Sequence, residues 1–376
     1  MQVTGSAPDR RLAAFGATED VAVQRGIAEF QGGRPVVVDA AGERIVALPV
    51  DGLTAVGWRG FAALCAPCTP RLAVTRRRGR VLGLDVPGAV LLDLGDGASC
   101  EAIVSLAAGP EGGRPGAAAP AGEAAARALD LAKLAQRFPA LLVIDAAAVA
   151  EDVLGQLIAV GAAALSRAHD AALDTLAFVS EARIPLADGT GARFCVFRDA
   201  AGSTPLAIIV GDPDVASPVA VRVHSACLTG DVFGSRRCDC GAQLKLAMAQ
   251  LSESGGGIVL YLEQEGRGLG LANKMRAYAL QDDGLDTMDA NMMLGFEDDE
   301  RNYTVAARML RMMGVKRIRL LTNNPGKLEA MADGGVEVCG RVALITEINP
   351  ENRRYLATKA ARAGHLLSAG PDEDGG

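Results

Sequence analysis

The chain has 376 residues, 49% of them hydrophobic, which is enough for two ordinary domains, each with its own core. A formal net charge of −7 argues against a general nucleic-acid binder, which is usually basic. No apolar run approaches the roughly 18–20 residues of a membrane span, and the N-terminus lacks the basic stretch and apolar core of a secretory signal, so a cytoplasmic protein without membrane attachment is expected.

In chain order, the first half reads as short strands bounded by Gly, Pro and Asp: "RPVVVDA", "ERIVALPV", "RLAVTRR" and "AVLLDL". Residues 107–128, "AAGPEGGRPGAAAPAGEAAARA", are low-complexity Ala/Gly/Pro and read as a flexible loop or linker. "ARALDLAKLAQRF" has helical spacing and "ALLVIDA" reads as a buried strand. "EDVLGQLIAVGAAALSRAHDAALDTLAFV" reads as one long helix or two, ending at a domain boundary near 175. Beyond it, "RFCVFRD" and "PLAIIVGD" read as paired strands, and "GGIVLYLEQ" as a strand entering "EGRGLG". "LANKMRAYALQDDG" and "YTVAARMLRMMGV" read as helices, "RIRLLTNN" as a buried strand, and "GKLEAMADGGV" as a helix closed by glycines. "SAGPDEDGG", 368–376, reads as a disordered acidic tail. The expected fold class is two-domain α/β (α+β). A smaller α/β domain covers 1–175, and a mixed-sheet domain with helices covers 176–367.

Chemistry concentrates in the second half. The eight cysteines are too unevenly spread for a disulfide framework, yet Cys227, Cys238 and Cys240 fall within 14 residues. Residues i and i+2 of an extended segment point the same way, so Cys238 and Cys240 can converge on one ion, with Cys227 returning across a turn around Thr229, Gly230 and Asp231. Three readings stand: buried thiols without a metal, a structural zinc completed by His224, and a three-thiolate catalytic zinc with an open position. Glycines 266, 268 and 270, with Arg267, follow a strand and open a helix, as a backbone anion cradle does, although a tight turn with a solvated arginine has the same signature. Asp298, Asp299 and Glu300 crowd against Arg301, where acidic residues can equally serve a helix dipole. Thr322 to Lys327 again end a strand and start a helix, with a lysine placed to meet phosphate. A hydrolytic metal among polyanion-binding loops points to an enzyme that hydrolyses a ring or amide in a nucleotide.

"RVHSACLTGD", "SRRCDCGAQL", "EQEGRGLGLANKMRAYALQDDGLDT", "DANMMLGFEDDERNYT", "RLLTNNPGK" and "TKAARAGHLL", spread over 182–367, closely resemble GTP cyclohydrolase II, the first enzyme of riboflavin synthesis. The resemblance implies conversion of GTP and water to formate, pyrophosphate and a 2,5-diamino-6-ribosylamino-pyrimidinone 5′-phosphate, in a homodimer. It makes Cys227, Cys238 and Cys240 the ligands of one Zn2+ per subunit, with Mg2+ accompanying the triphosphate. Tyr278 then assists at the zinc, Asp299 accepts a proton, and Arg301 acts at the α-phosphate as nucleophile or, more plainly, as a charge stabiliser. GTP-binding positions fall on Arg222, Val223, His224, Ser225, Ala226, Gln243, Glu265, Gly266, Arg267, Thr287, Thr322 and Lys327, with Gln243 and Glu265 reading the guanine. Ala226 stands where the family usually has glutamate, and Glu263 where it has arginine.

The N-terminal stretch "GIAEFQGGRPVVVDAAGERIVAL" faintly resembles 3,4-dihydroxy-2-butanone 4-phosphate synthase, but "GERIVALPV" replaces that family's acidic substrate run. A degenerate, non-catalytic domain is expected. Cys65 and Cys68 form a CxxC that reads as buried thiols, a zinc half-site or a redox pair. Two other functions fit the same resemblances: a bifunctional enzyme retaining synthase activity, and a catalytically silent nucleotide-binding regulator.

Overall fold

The computed structural model describes residues 16–95, 97–110, 115–186 and 191–353. The expected tail and the "TKAARAGHLL" motif lie outside the described residues. The chain divides into two compact units. The first contains 1–171 together with 275–283 and 289–297, and the second contains 172–274, 284–288 and the rest. Each is built on a seven-stranded sheet, giving the mixed α/β class expected.

The first sheet has the order β5-β4-β3-β6-β2-β1-β7. Its strands are β1 (Val36–Ala40), β2 (Glu43–Pro49), β3 (Arg71–Val74), β4 (Val90–Asp93), β5 (Ala118–Pro120), β6 (Ala140–Asp145) and β7 (Ala159–Gly161). Only β7 against β1 is parallel. Val36, Val38, Ala47, Ala73, Leu141 and Val143 pack under helices Thr18–Gln31 and Glu123–Leu134 to form this unit's core.

Two sequence expectations change here. Within 107–128, residues 118–120 pair with β4, and Glu123 opens a helix whose Ala124, Ala125 and Ala128 are buried; residues 111–114 lie outside the described set. Alanine is the strongest helix former, so an Ala-rich run with a tethered start becomes helix rather than linker. The tether is Glu43, whose carboxylate accepts the Ala124 N–H at 2.8 Å. The stretch 151–179 is not one helix or two. Helix Glu151–Leu154 is followed by β7, helices Ala162–Ser166 and Ala168–Thr175, and then a strand over Ala177–Pro185. The apolar residues of 157–160 supply a short buried strand, which periodicity alone does not separate from helix.

The second sheet has the order β14-β13-β11-β12-β10-β9-β8. Strands β8 (Ala177–Pro185), β9 (Gly191–Arg198) and β10 (Leu206–Gly211) are antiparallel to their neighbours, including β12. Strands β11 (Val219–Ser225), β12 (Gly256–Leu262), β13 (Arg317–Leu321) and β14 (Glu337–Val342) are mutually parallel where they pair. Their C-terminal ends therefore gather at one edge, where open α/β sheets bind ligands. Helix Thr304–Met312 buries Ala306, Ala307, Met309 and Leu310 against this sheet, the i, i+3, i+4 stripe expected of an amphipathic helix. Asn324 caps helix Pro325–Asp333 by accepting the Gly326 N–H at 2.9 Å, with Pro325 in the first turn.

Candidate metal and nucleotide site

Cys227 follows the C-terminal end of β11 and starts the short turn Leu228–Asp231. Cys238 lies in a turn and Cys240 is the first residue of helix Cys240–Glu253. The i, i+2 pair is thus not extended, as the sequence spacing suggested; a turn running into a helix N-terminus brings the thiols together instead. The three sulfurs lie within 4.8 Å of one another, and Cys227 Sγ is 3.7 Å from Cys238 Sγ. Two glycines permit this. A Cβ on Gly230 would sit 3.0 Å from Cys238 Sγ and 3.1 Å from Cys227 Sγ, and one on Gly241 would collide with the Gly230 carbonyl at 2.2 Å.

The thiols are electrostatically prepared for a cation. Hydrogen bonds from Cys238 and Cys240 hold the Cys227 thiol far below its ordinary pKa, and the Lys274 ammonium adds to the effect. Cys238 is correspondingly raised, because its thiol donates to Cys227. Lys274 Nζ is 3.1 Å from Cys227 Sγ, and it donates to Thr229 Oγ1 at 2.9 Å and to Glu265 Oε1 at 2.7 Å. The other carboxylate oxygen of Glu265 accepts the Leu228 N–H at 2.7 Å. His224 does not join the thiols. Its Nε2 lies 3.1 Å from Asp231 Oδ2, and Asp231 also accepts from the Cys227 N–H and the Tyr261 hydroxyl, each at 2.9 Å.

Beside the cluster lies a cavity of roughly 500 Å³, part of it open to solvent. Nine of the residues expected at the site line it: Arg222, His224, Ser225, Cys240, Gln243, Arg267, Arg301, Thr322 and Lys327. They come from β11, the segments after β12 and β13, the start of helix Cys240–Glu253, the residues before helix Thr304–Met312 and the first turn of helix Pro325–Asp333. Arg222 is buried; it donates to the Leu321 carbonyl at 3.1 Å and to Gln243 Oε1 at 2.6 Å, and burial lowers its pKa to about 10. Lys327 Nζ donates to the Val223 carbonyl at 2.9 Å and sits 5.1 Å from the Tyr303 ring centre. Thr322 Oγ1 accepts the Asn324 N–H, which shapes the strand-to-helix turn.

The "EGRG" turn places both Gly266 and Arg267 at φ 62°, in the left-handed region. For arginine that conformation is uncommon, so the surrounding contacts must hold it. Among the contacts that hold it, Glu300 N–H donates to the Arg267 carbonyl at 3.0 Å, and Arg267 reaches the Asp298 carbonyl at 3.3 Å. Arg301 Nε donates to Asp299 Oδ1 at 2.7 Å, and a second nitrogen meets Oδ2. Burial would raise the Asp299 pKa, but the Arg301 contacts outweigh it and hold the carboxyl below its usual value. Thr287 opens helix Thr287–Met293, and Tyr278 lies on helix Leu271–Asp282 in the segment that clusters with the first unit. Val223, Ala226, Glu265, Gly266, Thr287, Asp299 and Tyr278 do not line the cavity. Sequence reasoning missed Asp231, Tyr261, Lys274 and Gly241 as site residues; the "TGD" and "NKMRAY" strings contain two of them, but only the folded geometry gives them partners.

In the first unit, Cys65 is buried and Cys68 exposed, and neither forms a disulfide. Among the described residues, no helix is long and apolar enough to cross a membrane.

Comparison with known proteins bears on this geometry. The family model described as GTP cyclohydrolase II matches residues 177–343. The GTP cyclohydrolase-2 of Xylella fastidiosa is 41% identical over 356 residues, covering 94% of this chain and 89% of that protein. That of Azospirillum brasilense is 41% identical over 382 residues, covering 96% and 98%. That of Enterobacter sp. (strain 638) is 50% identical over 190 residues, which is 50% of this chain but 97% of that protein. Among solved structures, a two-domain 3,4-dihydroxy-2-butanone 4-phosphate synthase from A. baumannii aligns at 18% identity with a TM-score of 0.30, covering 86% of this chain and 99% of that one.

Proposed function

The chain belongs to the GTP cyclohydrolase II family, and from that premise we propose that it hydrolyses GTP to formate, pyrophosphate and 2,5-diamino-6-ribosylamino-4(3H)-pyrimidinone 5′-phosphate, the entry reaction of riboflavin biosynthesis. The observation that carries this reading is the juxtaposition of three convergent thiols with a cavity lined by Arg222, Arg267, Arg301 and Lys327. Soft thiolates select zinc, and four cations match a triphosphate. Cys227, Cys238 and Cys240 hold the zinc, one per subunit. When bound, it supplies Lewis acidity for hydrolysis at the purine ring.

The chain's own residues do the rest. Lys274 offsets the negative charge of the thiolates and orients Glu265, and the guanine edge is assigned to Glu265 and Gln243. Arg222, His224, Ser225, Thr322 and Lys327 bind the nucleotide, and Val223 and Ala226 contribute main-chain groups. Arg301, held in place by Asp299, stabilises charge at the α-phosphate, and Asp299 accepts the proton of the water that attacks the α-phosphorus as pyrophosphate leaves. Gly266 and Arg267 shape the phosphate-facing turn. Thr287 and Tyr278 complete the set, with Tyr278 assisting at the ring. Mg2+ accompanies the triphosphate. The working form is a cytoplasmic homodimer.

The domain of residues 1–175 is proposed to be non-catalytic, with 176–367 forming the catalytic domain. The acidic groups around β1 and β2 are spent internally. Asp39 pairs with Arg44, Glu43 holds the Ala124 N–H, and Asp51 pairs with Arg276. Among the described residues, no cluster of uncommitted carboxylates is left around these strands to bind magnesium and a sugar phosphate. Purified full-length protein given GTP and Mg2+ is expected to release formate and pyrophosphate. Given ribulose 5-phosphate, it is expected to yield no dihydroxybutanone phosphate. Absence of formate release from the zinc-loaded protein would overturn the first statement, and synthase turnover the second.

A further inference from the structure

The buried network behind the thiols contains a group whose hydrogen-bonding capacity is not used up. His224 is 2% exposed and lines the cavity. Its Nε2 faces both oxygens of Asp231, at 3.2 and 3.1 Å. Its Nδ1 has no partner among the described residues. Asp231 Oδ2 also accepts from the Tyr261 hydroxyl and the Cys227 N–H. The Tyr261 ring stacks on the imidazole at 5.5 Å with an interplanar angle of 18°, which fixes the plane of the imidazole.

Proton counting settles the tautomer. A carboxylate has no hydrogen to give, so every hydrogen at Asp231 comes from a neighbour. Burial lowers the His224 pKa, so at neutral pH the ring is neutral and has one N–H. That hydrogen belongs on Nε2, where Asp231 accepts it, and Nδ1 is left as a bare acceptor. A buried acceptor without a donor is unfavourable, which favours a ligand that supplies the donor.

We infer that Asp231 and Tyr261 are positioning residues that lock His224 in the Nε2–H tautomer, so that Nδ1 accepts a hydroxyl or amino hydrogen of the bound guanine nucleotide. The inference rests on the nucleotide-site reading above and adds the lock to it. It makes the Asp231–Tyr261 pair part of substrate recognition, in addition to its bond to the Cys227 loop.

The chain has three histidines, His169, His224 and His365, so nitrogen NMR of the full-length, zinc-loaded protein labelled at histidine resolves each ring, and His224→Gln assigns the site. The free protein is expected to show His224 with Nδ1 unprotonated. Adding guanosine 5′-α,β-methylenetriphosphate is expected to move that Nδ1 resonance upfield, as acceptance of a hydrogen bond does. Asp231→Asn can donate to Nε2 and is expected to switch the ring to Nδ1–H. The switch should lower kcat/KM about tenfold, mainly through KM, with zinc retained. Tyr261→Phe, a gentler change, is expected to produce a mixture of both tautomers. A protonated Nδ1 in the free protein would overturn the lock. An Nδ1 resonance that stays put while calorimetry records binding of the analogue would overturn the recognition role and leave the functional reading intact. No calorimetric binding at all would overturn both. A switched tautomer with unchanged kcat/KM, or zinc lost together with activity in both variants, would reduce Asp231 to a structural support and contradict the inference.

Discussion

In the first unit, Arg78 is 1% exposed, and burial lowers its pKa to about 10. Its five N–H donors nevertheless meet five acceptors: the carbonyls of Leu106, Ser105, Gly109 and Met293, and Met293 Sδ. In the second unit, Arg222 is also buried, at 5% exposure, and is likewise lowered to about 10, but its Nε has no partner among the described residues and it lines a cavity. The two guanidinium groups bear a similar desolvation cost. One is compensated entirely by the fold, so it is structural. The other is left with capacity that a ligand in the cavity can fill. Asp51 belongs with the first kind, accepting two bonds from Arg276 at 3.1 and 2.6 Å. His224 belongs with the second.

Substitutions at paired positions test this contrast. The largest effect is expected on activity at the open site. Arg301→Ala should lower kcat for both formate and pyrophosphate by about a thousandfold, because preorganised charge at the transferring phosphate is lost; a normal kcat for both products would break the assignment. Next comes stability at the saturated site. Arg78→Met strands four carbonyl acceptors and should cost about 3–5 kcal/mol. The single tryptophan, Trp58, lies in the first unit with its indole N–H on the Ala98 carbonyl, so its fluorescence in a urea titration reads that loss directly. The matched change in the second unit, Arg222→Met, should alter stability by about 1 kcal/mol or less, or even raise it, while KM for GTP rises about tenfold or more. Comparable destabilisation by the two methionine variants would erase the distinction between them.

The smallest effect concerns acid stability. Burial lowers the His224 pKa below its ordinary 6.5, so the folded state favours the neutral ring. The associated stability is present above pH 6.5 and is lost as pH falls through the lower folded-state value. His224→Gln should flatten this part of the stability profile, as measured by thermal unfolding between pH 7 and 5. An unchanged acid slope would mean that other groups carry it.

The residues that made this contrast legible differ in how local their signals are. The thiols, the "EGRG" turn and the "TNNPGK" strand end are contiguous strings whose chemistry follows from spacing, so sequence alone placed nine of the cavity's residues. The strands β9, β10, β12 and β13 were equally legible as apolar runs, whereas β11 went unread. Asp231 and Tyr261 were not, because 30 residues separate them and only the parallel pairing of β11 with β12 brings His224 opposite Tyr261. The start of the helix at 123–125 and the strand of 159–161 were hidden for another reason, although the rest of that helix showed its spacing from 126 on. Alanine-rich composition is shared by linkers and buried helices, and three-residue strands carry no period. Arg78 gave no signal in "TRRRGR", where three of four arginines look alike and only burial singles one out.

The central claim is that Cys227, Cys238 and Cys240 together hold the metal on which GTP hydrolysis depends. Metal analysis and formate release, measured on the same preparations of the wild-type and Cys240→Ser proteins, test it most directly. The account predicts about one zinc per wild-type chain with formate release, and loss of both in the variant. A Cys240→Ser protein that keeps its zinc and releases formate at the wild-type rate would contradict it.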